Sequence, residues 1–257
     1  MDIVKYNSEA WDREVESGEN PWTLPVGPEV IEEAREGRFS VLLTNNKPVP
    51  RDWFPDSFEG VDVLCLASGG GQQGPVFAAM GANVTVFDNS EGQLAKDRLV
   101  ADREGLEIRT EKGDAADLSR FEDGSFDLIF HPCSNCFMPD IEPVWNEAYR
   151  VLRTGGDLLA GFHNGFFFIF DQIKADRDGV LEVKNPLPYS DLNDLSEEDL
   201  KYFVKDGEPL EYGHTLDQQI GGQVRAGFAI TGFYEDSDGS PISEYCGVLA
   251  ATRAHKY

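Results

Sequence analysis

Three groups of residues in this 257-residue chain have the types and spacing that chemistry asks for. The first is Gly69, Gly70, Gly71 and Gly74, followed by Asp88 nineteen residues after Gly69. Glycines let a ligand approach the backbone because no Cβ intervenes, and a carboxylate at a strand end accepts both hydroxyl protons of a ribose. The second is the run His131-Pro-Cys133-Ser-Asn-Cys136. An imidazole and two thiols so spaced offer either metal ligands or a redox pair. The third is His163 with Asn164. A free imidazole titrates near ~6.5, so His131 and His163 are both candidate proton acceptors at neutral pH.

These groups need elements to hold them. Val61 to Leu66 is an apolar run bounded by turn residues, the length of a buried strand. Gln73 to Met80 predicts a helix broken by Gly81, and Val84 to Phe87 a second strand ending on Asp88. Read literally, Gly69, Gly71 and Gly74 satisfy GxGxxG, so an NAD-dependent oxidoreductase is one reading. The alternation continues. Glu91 to Glu104 is helical and Gly105 ends it; Leu106 to Lys112 is a third strand; Phe126 to Phe130 is a fourth. Pro139 to Leu152 is an amphipathic helix stopped by Thr154-Gly155-Gly156, and Asp157 to Phe162 is a fifth strand. Such alternation predicts a parallel α/β sheet that binds its ligands at the C-terminal ends of the strands.

Two segments lie outside the alternation. Residues 1–50 form an N-terminal extension, in which Asn7 or Ser8 is expected to cap a helix over Glu9–Glu16 and Pro28 to Glu36 to form a second. Trp11 and Trp22 either cover a ligand pocket or anchor this extension. Residues 164–213 form an inserted cap whose aromatic run, Phe166 to Phe170, is either acceptor surface or core, and whose Ser196-Glu-Glu-Asp199 matches a capping box. Thr215 to Ala226 is a last crossover helix, and Phe228–Tyr234 with Tyr245–Arg253 an antiparallel pair.

Together these pieces resemble class I S-adenosylmethionine-dependent methyltransferases, in particular the small-molecule group with the menaquinone/ubiquinone methyltransferase pattern. The matching stretches are VLCLASGGG (63–71), VTVFDNS (84–90), GDAADL (113–118), FDLIFHP (126–132) and EAYRVLRTGGDLLAGF (147–162). Any one is weak; five in register are not. The resemblance implies a doubly wound, mostly parallel seven-stranded sheet with a last antiparallel strand, and S-adenosylmethionine as cofactor. It places Ala67, Ser68, Gly69, Gly71, Gln72 and Gln73 at the methionine end, Asp88 and Asn89 at the ribose, and Gly113, Asp114 and Ala115 at the adenine. His131 stands at the methyl group as a possible base. Trp11, Trp22, Asn135, His163 and Phe166 are expected around the acceptor. The chain departs from the pattern at Cys65 and Ala67, where many relatives have an acid and a glycine. A non-catalytic binder of the same cofactor is the remaining alternative, because binding needs the same residues as turnover.

Metal is not expected. The zinc-deaminase signature lacks its upstream His-x-Glu half, so Cys133 and Cys136 read as plain pocket thiols. His214 and His255 read as surface residues. Forty-seven acids against 22 bases leave a net charge of −25, which disfavours nucleic acid and anionic lipid as partners. No apolar run approaches the ~18 residues of a membrane span, no secretory signal is visible, and four cysteines without framework spacing suit a reducing cytoplasm. Oligomeric state is left open.

Overall fold

The computed structural model describes the backbone of residues 1–257 and every side chain except those at 176, 202, 203, 205 and 206. Five parallel strands come first: β1 Asp62–Leu66, β2 Asn83–Asp88, β3 Ile108–Lys112, β4 Phe126–His131 and β5 Leu152–His163. Helices α3 (Gln73–Ala79), α4 (Glu91–Glu104) and α5 (Glu142–Val151) connect them. Val63 to Leu66 are buried along both faces of β1, which is why that strand reads as an unbroken apolar run rather than an alternating one.

Helices cover both faces. On one side Phe54, Phe58, Phe77 and Phe130 pack ring against ring, with the Phe77 and Phe130 centroids 5.3 Å apart. On the other, Phe87, Phe121, Phe126 and Trp145 fill the space between the sheet and α5. The extension supplies α1 (Ile3–Ser17) and α2 (Pro28–Arg35). Residues 164–213 contain α6 (Phe166–Ile169), α7 (Gln172–Asp178), α8 (Asp191–Asp194) and α9 (Glu197–Asp206), with a two-stranded antiparallel ladder of β6 (Tyr189–Ser190) and β7 (Tyr212–Gly213). A π-helical turn, Asp217–Gly221, leads into α10 (Gly222–Ala226). Strands β8 (Ala229–Asp236) and β9 (Leu249–His255) complete the main sheet.

The strand order is β3-β2-β1-β4-β5-β9-β8, with β9 antiparallel to both of its neighbours. The seven-stranded doubly wound sheet with a reversed last strand is therefore as expected. The order in which strands are added reverses between β1 and β4, which stay parallel, and a crevice opens at such a switch point beyond the strands' C-terminal ends. Among the described residues, no helix is long and apolar enough to cross a membrane.

Two local expectations need correction. Helix α1 begins at Ile3, where Asp2 accepts a hydrogen bond from Lys5 N at 3.1 Å, so neither Asn7 nor Ser8 is its cap. Both are buried inside the helix and bond to distant backbone instead. Thr154-Gly155-Gly156 lies within β5, where the register against β4 shifts, and is not a loop between helix and strand. Within the segment 215–226, Gly222 packs against α5: a Cβ there would stand 2.5 Å from Trp145 Cδ1.

Candidate functional site

A cavity of about 470 Å³ occupies the crevice, a size that suits a cofactor together with part of a small substrate. One wall is the glycine loop and the tips of β2 and β3. Asp88 Oδ2 accepts from Gly69 N at 2.9 Å and Oδ1 from Ser90 N at 2.9 Å, so the carboxylate clamps the loop to the end of β2. Burial raises its pKa, opposed by the backbone N–H groups of Ser90, Gly69 and Asn89. A Cβ on Gly69 would meet Gln93 Cβ at 2.6 Å, and one on Gly113 would meet Phe87 Cζ at 2.4 Å, so both positions require glycine for close approach. Gln93 also lines the cavity, and its Oε1 is buried without a hydrogen-bond partner. A polar ligand is what such an atom lacks. Asp88, the orphaned Gln93 oxygen and the Gly113–Ala115 turn thus fit a bound adenosine group.

The loop is held from behind by a residue the sequence motifs did not single out. Asp97 of α4, fully buried, accepts from Gly71 N at 3.1 Å. Burial pushes its carboxyl up to about 8. It braces the glycine loop from the side of α4. The departure at Ala67 also shows. Ala67 has φ +47, the one non-glycine residue in the left-handed region among those described.

The opposite wall is built from segments remote in sequence. Cys133 follows β4, Cys136 sits on the short 3-10 turn Asn135–Phe137, and His163 ends β5. Their two sulfurs and an imidazole nitrogen lie within 4.8 Å of one another. The Cys136 thiol, hydrogen-bonding to Cys133, and the adjacent His163 hold the Cys133 thiol well below its usual range despite burial; Cys136 is raised in return. Burial would lower the His163 pKa, but the Cys133 thiolate beside it prevails and pushes it up to about 9. Glu211, from the cap, lines the same end, and burial raises it to about 7. Trp11 packs edge-on against Phe137 with centroids 5.1 Å apart, and with Trp22 and the 42–45 segment it roofs the cavity.

Most of the anticipated residues come together here: Ala67, Ser68, Gly69, Gln72, Gln73, Asp88, Asn89, Gly113, Asp114, Ala115, Trp11, Trp22 and His163 line the cavity. Gly71, His131, Asn135 and Phe166 do not. Gly71 faces Asp97 and Val26. His131 is fully buried, with Nδ1 2.9 Å from Leu66 O and Nε2 2.7 Å from Asn135 Oδ1, and burial lowers its pKa. Asn135 in turn donates to Gln219 Oε1 at 2.8 Å, so His131 and Asn135 form an internal brace between β1, β4 and the π-helical turn. Phe166 is 46% exposed; its neighbour Phe168 packs on Cys136 and Tyr189 in the core of the cap. His214 and His255 are not free surface groups either. His214 bonds the Asn135 and Met138 carbonyls, and His255 pairs with Asp157 at 3.0 Å. Leu43, Asp97 and Glu211 carry no local motif; only their place in the fold marks them.

The N-terminal segment bonds both to residue 210 and to the glycine loop. Asn7 Nδ2 donates to Phe137 O and Leu210 O, and Asn7 Oδ1 accepts from Leu210 N at 2.9 Å. Gln72 Nε2 donates to Pro21 O and Leu24 O, and Val26 N to Gly71 O at 3.0 Å.

Comparison with known proteins agrees with this geometry. A family model described as "Methyltransferase domain" matches residues 64–160. The uncharacterized methyltransferase YbaJ of Bacillus subtilis (strain 168) is 51% identical over 254 residues, covering 99% of this chain and 98% of that protein. A sterol 24-C-methyltransferase of Aspergillus fumigatus is 35% identical over 101 residues, 38% of this chain and 26% of that enzyme. Among solved structures, an S-adenosylmethionine-dependent methyltransferase from Mesorhizobium loti superposes with a TM-score of 0.60 at 18% identity, over 80% of this chain and 95% of the other, which speaks for the fold.

Proposed function

We infer the acceptor side of the reaction from one premise: the chain belongs to the class I S-adenosylmethionine-dependent methyltransferases. The hydride-transfer reading of its glycine loop falls away with that membership. Our reading is that the acceptor is a small molecule seated at the Cys133, His163 and Glu211 end of the cavity. The observation that supports it is the enclosure: the cofactor wall and this second wall face one cavity of about 470 Å³, roofed by the extension. A space of that size suits a compact acceptor, not a folded macromolecule.

When bound, S-adenosylmethionine supplies a methyl group already activated by a positively charged sulfur. The protein therefore needs to align and enclose more than to react. Asp88 would accept the ribose hydroxyls, Gly113 to Ala115 would border the adenine, and the Gly69 backbone would approach the methionine end. Trp11, Trp22 and the 42–45 segment would keep water out. Glu211 is the buried carboxylate at the acceptor end and would take the proton from an O–H or N–H acceptor; His131, inside its brace, would hold β4 in place.

The reading is tested by screening small acceptors with methyl-labelled cofactor, alongside hydrogen exchange with and without S-adenosylhomocysteine. Turnover of a small molecule is expected, reduced roughly 10²-fold or more in Glu211→Gln if the acceptor loses a proton. Exchange should slow in residues 1–25 and 207–212 as well as in 61–120. Protection confined to 61–120, with no small acceptor methylated, would reject both the enclosure and the substrate class.

A further inference from the structure

We propose that Cys133, Cys136 and His163 form a binding site for one thiophilic divalent cation, of which zinc is the type, in the acceptor wall of the cavity. The sequence argument against a metal rested on the missing upstream His-x-Glu half of the zinc-deaminase signature, and the structure turns the one nearby imidazole, His131, away into its brace. The fold supplies an imidazole from another strand instead. β4 and β5 are adjacent and in parallel register, His131 opposite Ala160, so their C-terminal ends bring Cys133 and His163 to one place. The 3-10 turn then folds Cys136 back toward both.

Distance, donor type and access all fit. Two sulfurs each about 2.3 Å from a tetrahedral zinc stand ~3.8 Å apart, within the 4.8 Å that encloses all three donors. His163 Nδ1 is buried with no hydrogen-bond partner, while the ring is held between Phe167 and Phe168, with centroids 5.1 and 5.5 Å away. The ring is thus held beside Cys133, to which it hydrogen-bonds, before any ion arrives. Cys133 is also fixed from the backbone, its N–H donating to Leu43 O at 2.9 Å. The cavity wall carries Asp88, Asp114, Asp140 and Glu211 and no lysine or arginine among the described residues, so a cation enters a field of its own preference. Two sulfurs with one imidazole suit zinc better than a trivalent arsenic species, which favours an all-thiolate set.

Both sulfurs bind as thiolates and the imidazole as the neutral base. The protons they carry pass to solvent as the ion enters, and affinity rises with pH. Three ligands leave the fourth corner toward the cavity. There the ion would hold an acceptor O–H or S–H and lower its pKa. This role rests on the methyl-transfer reading, whereas the binding of the ion does not.

The experiment uses the full chain, reduced and stripped with a chelator, titrated with Zn²⁺ against a chromophoric competitor and separately with Co²⁺. S-adenosylhomocysteine binding is measured on the same preparations as a check of folding and of the methyltransferase reading. One zinc per chain is expected, with the visible absorption of tetrahedral, thiolate-ligated cobalt. Cys133→Ser and His163→Ala should each weaken zinc by ~100-fold or more while S-adenosylhomocysteine still binds. The cobalt spectrum of the unaltered chain stands even if a variant misfolds. No stoichiometric zinc, zinc undiminished in both variants, a cobalt spectrum without thiolate bands, or arsenite bound where zinc is refused would each overturn the proposal.

Discussion

The two walls of the cavity are made in different ways. The cofactor wall comes from one continuous stretch, Ala67 to Ala115, and works through backbone: N–H groups clamped by Asp88, glycines where Cβ atoms would collide with Gln93 or Phe87. The wall proposed for the acceptor gathers Trp11, Leu43, Cys133, His163 and Glu211, and is made of side chains, several of which shift one another's protonation. The first arrangement suits a ligand shared across a large family, because backbone geometry tolerates sequence change around it. The second can be rewritten residue by residue, which is how one fold serves many acceptors.

The comparison can be broken or sharpened by substitution. The largest effect is expected from Asp88→Ala, which removes a charged acceptor from two hydroxyls and unclamps Gly69. Calorimetry should show S-adenosylhomocysteine binding weakened by about 2 kcal/mol, some 30-fold, with zinc affinity at the other wall unchanged. Loss at both walls would mean that they are not separable.

A smaller effect concerns the brace behind the loop. An unfolded aspartate ionises near ~4, whereas folded Asp97 keeps its proton up to about 8. Between those values the unfolded chain binds fewer protons than the native one, so this residue makes stability fall as pH rises from about 4 to 8 and level off above. Asp97→Asn keeps an acceptor for Gly71 N and removes the titration. Its melting temperature should exceed that of the parent by at least ~3 °C at pH 8 and by little at pH 5. An offset that does not change with pH would remove the buried acid from the account.

The smallest effect belongs to Ala67. A left-handed φ costs an L-residue roughly 1–2 kcal/mol, and glycine gives back ~0.5–1 in chain entropy. Ala67→Gly is therefore expected to stabilise by less than about 1 kcal/mol, seen in chemical denaturation, with cofactor affinity unchanged within a factor of about three. Clear destabilisation would show that the Ala67 methyl has a packing role at the base of the cofactor wall.

How much of this was legible in the sequence differs between the walls for the same reason. Strands β1 to β5, helices α3 and α4, the glycine loop, Asp88 and the Gly113–Ala115 turn follow from periodicity, glycine placement and order along the chain, all of them local signals. The acceptor wall depends on register between strands and on which buried group finds which partner. His131 and His163 look alike in sequence, each an imidazole at a strand end. Burial against Leu66 O and Asn135 makes the first a brace, and adjacency to Cys133 makes the second part of the cavity wall. Phe166 and Phe168 differ by two positions in one aromatic run, yet one is exposed and the other is core. Asn7, expected as a helix cap, is buried between residues 137 and 210, far from it in the chain. The sequence by itself determined the fold class and the local elements of the wall proposed for the cofactor, because strand, turn and helix preferences act over a few residues. Only the tertiary structure decided which titratable side chains share the second wall, because His163 and Glu211, 30 and 78 residues past Cys133, are brought to it by strand register and chain folding.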